Sequence, residues 1–98
     1  MAKAYWVQTY LSPAKDADAL EAYRRLAGPA LTAAGGRYLV RSKPAKTYEA
    51  GINERVILIE FDSLEKAIAA RNTRAYQEAL KVLGTGNVER DIRLVEGE

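Results

Sequence analysis

Four residues in this chain have side chains suited to acid–base chemistry or anion recognition, in company that could use them: Glu60, Arg41, Tyr76 and Tyr10. Glu60 lies in Arg55-Val56-Ile57-Leu58-Ile59-Glu60-Phe61, among hydrophobic neighbours. A carboxyl group held there is pressed to keep or share its proton, and a raised pKa suits it to act as general acid or base. Arg41 offers a planar fork of donors that matches a carboxylate or phosphate. Tyr76 brings a hydroxyl from a helical stretch, while Tyr10, with Trp6 and Tyr38, supplies aromatic walls for a cavity. Each has a plainer account. Glu60 can pair with an arginine at a sheet end, Arg41 can pair with Glu60 or Glu49, and buried tyrosines pack cores and interfaces. Glu60 and Tyr76 are thus the catalytic candidates, and Arg41 and Tyr10 the ligand-binding ones.

Much other chemistry is closed to this sequence. It has no cysteine and no histidine, which removes disulfides, thiolate nucleophiles, the commonest general base and the commonest metal ligand. Ser12, Ser42 and Ser63 have no histidine to activate them, so a serine hydrolase is not expected. Asp and Glu form no cluster with recognisable metal-ligand spacing, and neither metal nor cofactor is expected. Gly84-Thr85-Gly86 follows a helical stretch, where glycine serves as a stop; a phosphate cradle needs its amides at a helix start. The net charge is +2, and the 15 basic residues are dispersed, with no run longer than Arg24-Arg25. Nucleic acid is therefore not an expected partner. The stretch from Arg37 to Arg55 is locally basic, a place for an anion or simply a solvated loop. The 98 residues, 48% hydrophobic and 29% charged, fit one globular domain spanning 1–98. With neither a spanning segment nor an apolar signal core, the cytoplasm is the expected compartment and no membrane partner is expected.

The elements that position these residues follow from periodicity. Residues 3–11 alternate as a strand, with Trp6, Gln8 and Tyr10 on one face and Tyr5, Val7, Thr9 and Leu11 on the other. Ser12-Pro13 ends it. Asp16 or Asp18 caps a helix over about 18–34, whose apolar stripe runs through Leu20, Tyr23, Ala27 and Leu31; Pro29 predicts a kink or two shorter helices. Gly35-Gly36 stops that helix and turns into a strand in which Arg37, Leu39 and Arg41 face one way and Tyr38 and Val40 face the core. A polar arm, 43–54, leads to the strand 55–61, apolar on both sides. Ser63 caps the next helix, Asn72-Thr73 breaks it, and Thr73 caps a continuation ending at Gly84. A strand over 91–95 completes the order βαββαβ. This is the ferredoxin-like α+β arrangement: a four-stranded antiparallel sheet with two helices on one face. The bare face covers on the order of 300 Å². A second copy packed face to face would cover it, so a homodimer is expected.

Tyr5-Trp6, Gly35-Gly36-Arg37-Tyr38-Leu39-Val40-Arg41, Glu54-Arg55-Val56-Ile57-Leu58-Ile59-Glu60-Phe61, Ala75-Tyr76-Gln77 and Val95-Glu96-Gly97 together resemble one bacterial family, the domain of unknown function 1330. The resemblance spans essentially the whole chain, departing from the family pattern at Ser42 and Arg71. It implies the dimeric α/β barrel superfamily, with a pocket between sheet and helices, and no established activity. Related branches include small monooxygenases, haem-degrading enzymes, isomerases and peroxidases. A haem here would need an unusual axial ligand such as tyrosine. The functional expectation is a cofactor-independent enzyme acting on a small anionic or aromatic molecule in a pocket lined by Tyr10, Arg41, Glu60 and Tyr76. The alternative is a non-catalytic ligand-binding or assembly domain.

Overall fold

Strand alternation and helix capping set the architecture, seen in a computed structural model that describes residues 2–98. The order is β1 (Ala4–Tyr10), α1 (Ala17–Ala33), β2 (Arg37–Ser42), β3 (Val56–Phe61), α2 (Leu64–Arg71), α3 (Arg74–Leu83) and β4 (Arg90–Glu96). The strands form one antiparallel sheet in the order β2-β3-β1-β4. This is the ferredoxin-like α+β fold, with one departure from two helices. The second helical region is two helices, because the Thr73 side chain accepts from the Tyr76 amide and starts α3 anew.

In β1 the buried residues are Ala4, Trp6, Gln8 and Tyr10, and in β3 they are Ile57, Ile59 and Phe61. This inner face packs on Tyr23, Ala27 and Leu31 of α1 and Tyr76, Ala79 and Leu83 of α3 in one hydrophobic cluster. At its centre Trp6 and Tyr76 meet edge to face, with ring centroids 5.3 Å apart.

Asp16, rather than Asp18, caps α1, accepting from the Ala19 amide at 3.0 Å. Helix α1 also runs unbroken through Gly28 and Pro29, so of the two expectations the pair of shorter helices is not realised. Proline removes one hydrogen bond, but the buried stripe continues on both sides of it, from Leu20 and Tyr23 to Ala30 and Leu31. Past Ala33 the chain turns as expected. Gly35 takes φ 99°, and the Gly36 amide donates to the Leu31 carbonyl at 2.9 Å. A Cβ on Gly36 would lie 2.9 Å from Ile59 Cγ2, so this corner closes against β3 only with glycine.

Strand β2 departs most from simple alternation. Tyr38 pairs with Ile59, but Val40, not Leu39, pairs with Leu58, and Arg41 pairs with Ile57. Leu39 is thus the extra residue of a β-bulge. The bulge reverses the phase beyond it: Val40 goes to the outer face with Leu58, and Arg41 to the inner face with Ile57. The expected inward Val40 and the shared face of Arg37 and Arg41 are both corrected by this single residue.

Candidate functional site

Between α1 and the β2-β3-β1 part of the sheet is a cavity of about 110 Å³. Tyr23, Arg24, Ala27, Gly28 and Leu31 form its roof on α1, because positions 23, 24, 27, 28 and 31 share one helical face. Gln8 and Tyr10 of β1, Tyr38 and Arg41 of β2, and Arg55, Ile57 and Ile59 of and beside β3 form its floor and rim. Gly28 has no heavy atom within 4 Å of where a Cβ would stand, so α1 is thinnest above the cavity.

The lining is one-sided in charge. Three guanidinium groups, from Arg24, Arg41 and Arg55, border the cavity, and no carboxylate does. Among the described residues Arg41 and Arg55 make no ion pair, and Arg24 has only a 3.9 Å contact with Glu21. The Arg24 and Arg55 Nε atoms are buried without a hydrogen-bond partner. Arg41 instead stacks on the Tyr38 ring, 4.5 Å from its centroid. Such a set of donors can hold an organic anion by charge-assisted hydrogen bonds.

Next to the cavity is a polar network inside the core. The Tyr23 and Tyr76 hydroxyls are 2.7 Å apart, and Arg90 Nη1 donates to the Tyr23 oxygen at 2.8 Å. Burial first, and then the neighbouring Tyr76 hydroxyl, push the Tyr23 phenol above its ordinary range, so it is neutral at physiological pH. Gln8 is also buried, and its Oε1 accepts from Trp6 Nε1 at 2.9 Å.

The four residues singled out by sequence do not converge. Tyr10 and Arg41 line the cavity. Tyr76 is fully buried and reaches it only through the Tyr23 hydroxyl. Glu60 is on the opposite face of the sheet, since it pairs in register with Tyr5 and Arg37, next to inward Ile59. There it accepts from Arg37 Nε at 3.0 Å and from the Tyr5 hydroxyl at 3.2 Å, with Lys3 at 3.9 Å. The Arg37 hydrogen bond holds the Glu60 carboxyl below its ordinary pKa, the reverse of the raised value expected of a proton carrier. It is the sheet-end ion pair of the plainer account, and Arg41 pairs with neither Glu60 nor Glu49.

Sequence reasoning missed Gln8, Tyr23, Arg24 and Arg55 as cavity residues. Gln8 had a usable signal, being a polar side chain between Trp6 and Tyr10 on an aromatic strand face. Arg55 had a weak one, as the end of the locally basic stretch that begins at Arg37, and Arg24 had none, because its place beside the cavity depends on how α1 lies over the sheet.

The family model described as "Domain of unknown function (DUF1330)" matches residues 3–98. Among solved structures, the chain is similar to a protein of unknown function from Rhodopseudomonas palustris, with a TM-score of 0.74 at 16% identity over 99% of this chain and 83% of that one. It is also similar to a candidate antibiotic biosynthesis monooxygenase from Caulobacter crescentus CB15, with a TM-score of 0.67 at 13% identity over 99% and 91%. A NIPSNAP-like domain protein from Burkholderia xenovorans gives 0.59 at 15% over 98% and 85%. No curated protein matches. At these identities the likeness is one of fold.

Proposed function

The chain belongs to the DUF1330 family, and from that premise we propose that it binds a small organic anion in the cavity beneath α1. The observation that carries this reading is the set of three arginines around a space otherwise lined by apolar and aromatic residues and one glutamine, with no carboxylate among the lining residues. Three like charges near one another raise the free energy of the empty site, and an anion relieves it. Arg41 holds the anion, and Tyr10 and Tyr38 wall it in. The test is calorimetric titration with benzoate and with its neutral analogue benzamide. Benzoate binding that Arg41→Ala weakens supports the reading; benzamide binding as well as benzoate overturns it.

Catalysis on the bound molecule is a second reading, favoured by the likeness to a candidate monooxygenase. Guanidinium groups stabilise the conjugate base of an acidic phenol or enol, the electron-rich form that reacts with oxygen. Glu60 takes no part, because the sheet lies between it and the cavity. Ligand-dependent oxygen uptake, lost in Arg41→Ala, would establish turnover. Binding without uptake would leave a ligand-binding domain.

The outer face of the sheet is the proposed seat of a second copy. Val7, Leu58 and Val40 are aligned in register across β1, β3 and β2, with exposed Leu39 and Val95 nearby. Arg37 and Glu60 lie on one side of this row and Asp91 and Arg93 near its β4 end. An apolar centre with a charged rim is the anatomy of an interface. Light scattering across dilution should give a dimer, and Leu58→Asp a monomer. A wild-type monomer at all concentrations would overturn the assembly.

A further inference from the structure

We propose that the occupant of the cavity is a single-ring aromatic carboxylate bearing a second, neutral oxygen. The carboxylate meets Arg41 and Arg55, and the second oxygen meets the side-chain amide of Gln8. This rests on the reading of the cavity as an anion site, and three observations narrow it.

The first is size and shape. At about 110 Å³ the cavity is far larger than the roughly 10–15 Å³ that one water needs. It is also smaller than the ~300 Å³ at which pockets for drug-sized ligands begin. It lies between two layers, with Ile57 and Ile59 below and the small residues Ala27 and Gly28 above. A slot of this size suits one flat ring.

The second is the orientation of Gln8. An indole N–H only donates, so the Gln8 atom 2.9 Å from Trp6 Nε1 is the oxygen. That fixes the amide and leaves its two N–H donors unengaged by the described residues. Gln8 borders the cavity, and its amide nitrogen is not among the fully enclosed unpartnered atoms, so it is open to the cavity space, where an acceptor on a ligand can take the place of water.

The third is register. Arg41 pairs with Ile57, and Ile57 pairs with Gln8, so the three form one row across β2, β3 and β1. Arg41 and Gln8 are thus two strand spacings apart, about 10 Å between backbones, with an apolar residue between them. A charged group at one end, an apolar ring over Ile57 and a neutral acceptor at the other end match that row.

The experiment is calorimetric titration of the intact chain with benzoate, 3-hydroxybenzoate, 4-hydroxybenzoate and benzamide. At least one hydroxybenzoate should bind roughly threefold to tenfold tighter than benzoate, the worth of one neutral hydrogen bond. Gln8→Met should erase that preference, bringing the hydroxybenzoates and benzoate to the same Kd within about twofold of one another. Should Gln8→Met fail to fold, Trp6→Phe removes the donor that fixes the amide and should shrink the same preference. Hydroxybenzoates no tighter than benzoate, or a preference that survives both variants, overturns this inference while leaving the anion site standing. Failure of every carboxylate to bind overturns the anion site and this inference with it.

Discussion

Arg37 and Arg41 are four residues apart on one strand and have opposite surroundings. Arg37 lies on the outer face, with Nε 3.0 Å from Glu60 Oε1 and Nη2 3.0 Å from Asp62 Oδ1. Its charge is spent within the fold. Arg41 lies on the inner face against the Tyr38 ring, beside two further arginines and no carboxylate. Its charge is left over. In regular alternation the two arginines would share a face, and the Leu39 bulge separates them. The contrast shows that arginine content alone says little; what differs between the two is whether compensating carboxylates stand beside the guanidinium group.

The contrast would break most visibly at the corner that feeds both arginines into the sheet. Gly36→Ala places a Cβ against Ile59 Cγ2 and the Leu31 carbonyl, each at 2.9 Å, and should cost about 1–3 kcal/mol of stability in urea unfolding. Ligand affinity should fall with it, since Tyr38 and Arg41 are carried by the same strand. Next in size is the paired test of the arginines. Arg41→Ala should weaken benzoate binding by roughly tenfold to a hundredfold, the worth of a charge-assisted hydrogen bond. Arg37→Ala should leave it unchanged within about twofold; equal losses in the two variants would erase the distinction.

A smaller effect comes from the roof. Gly28→Ala should raise stability by about 0.5–1 kcal/mol, because alanine favours the helix and nothing lies within 4 Å of the new Cβ. Gly28→Leu should fill the space and block benzoate without unfolding the chain, as circular dichroism would report. The smallest effect is at the outer face. The Arg37 hydrogen bonds hold both Glu60 and Asp62 below their ordinary pKa values. A lowered folded pKa contributes stability that is present above the ordinary carboxylate value and lost as pH falls through the folded one. The urea midpoint should therefore drop on acidification below about pH 4.5, the ordinary Glu value, and drop less steeply in Glu60→Gln. An equal slope in that variant would show that the pair contributes little.

Most of the fold was legible. Trp6, Gln8 and Tyr10 alternate onto one face, Ser63 and Thr73 cap α2 and α3, and Gly35 stops the first helical region with a positive φ. These signals are local, set by side-chain periodicity, capping geometry and steric freedom over a few residues. The candidate site was half legible: Tyr10 and Arg41 border the cavity, while Tyr76 is behind Tyr23 and Glu60 is across the sheet.

The misplaced residues share a cause. In Val56–Phe61 both faces carry apolar residues, so alternation says that Glu60 and Ile59 point oppositely without saying which faces the helices. The three helices decide that, because Trp6, Ile57, Ile59 and Phe61 share one core cluster with buried residues of α1, α2 and α3. In β2 the bulge leaves no mark in Arg37-Tyr38-Leu39-Val40-Arg41, because it exists only relative to the hydrogen-bond ladder of β3. The sequence by itself determined which segments are strands and helices and where they turn. Tertiary pairing decided that Arg37 is neutralised and Arg41 is not, because the side of a sheet on which a residue falls is a property of two strands and the helices above them.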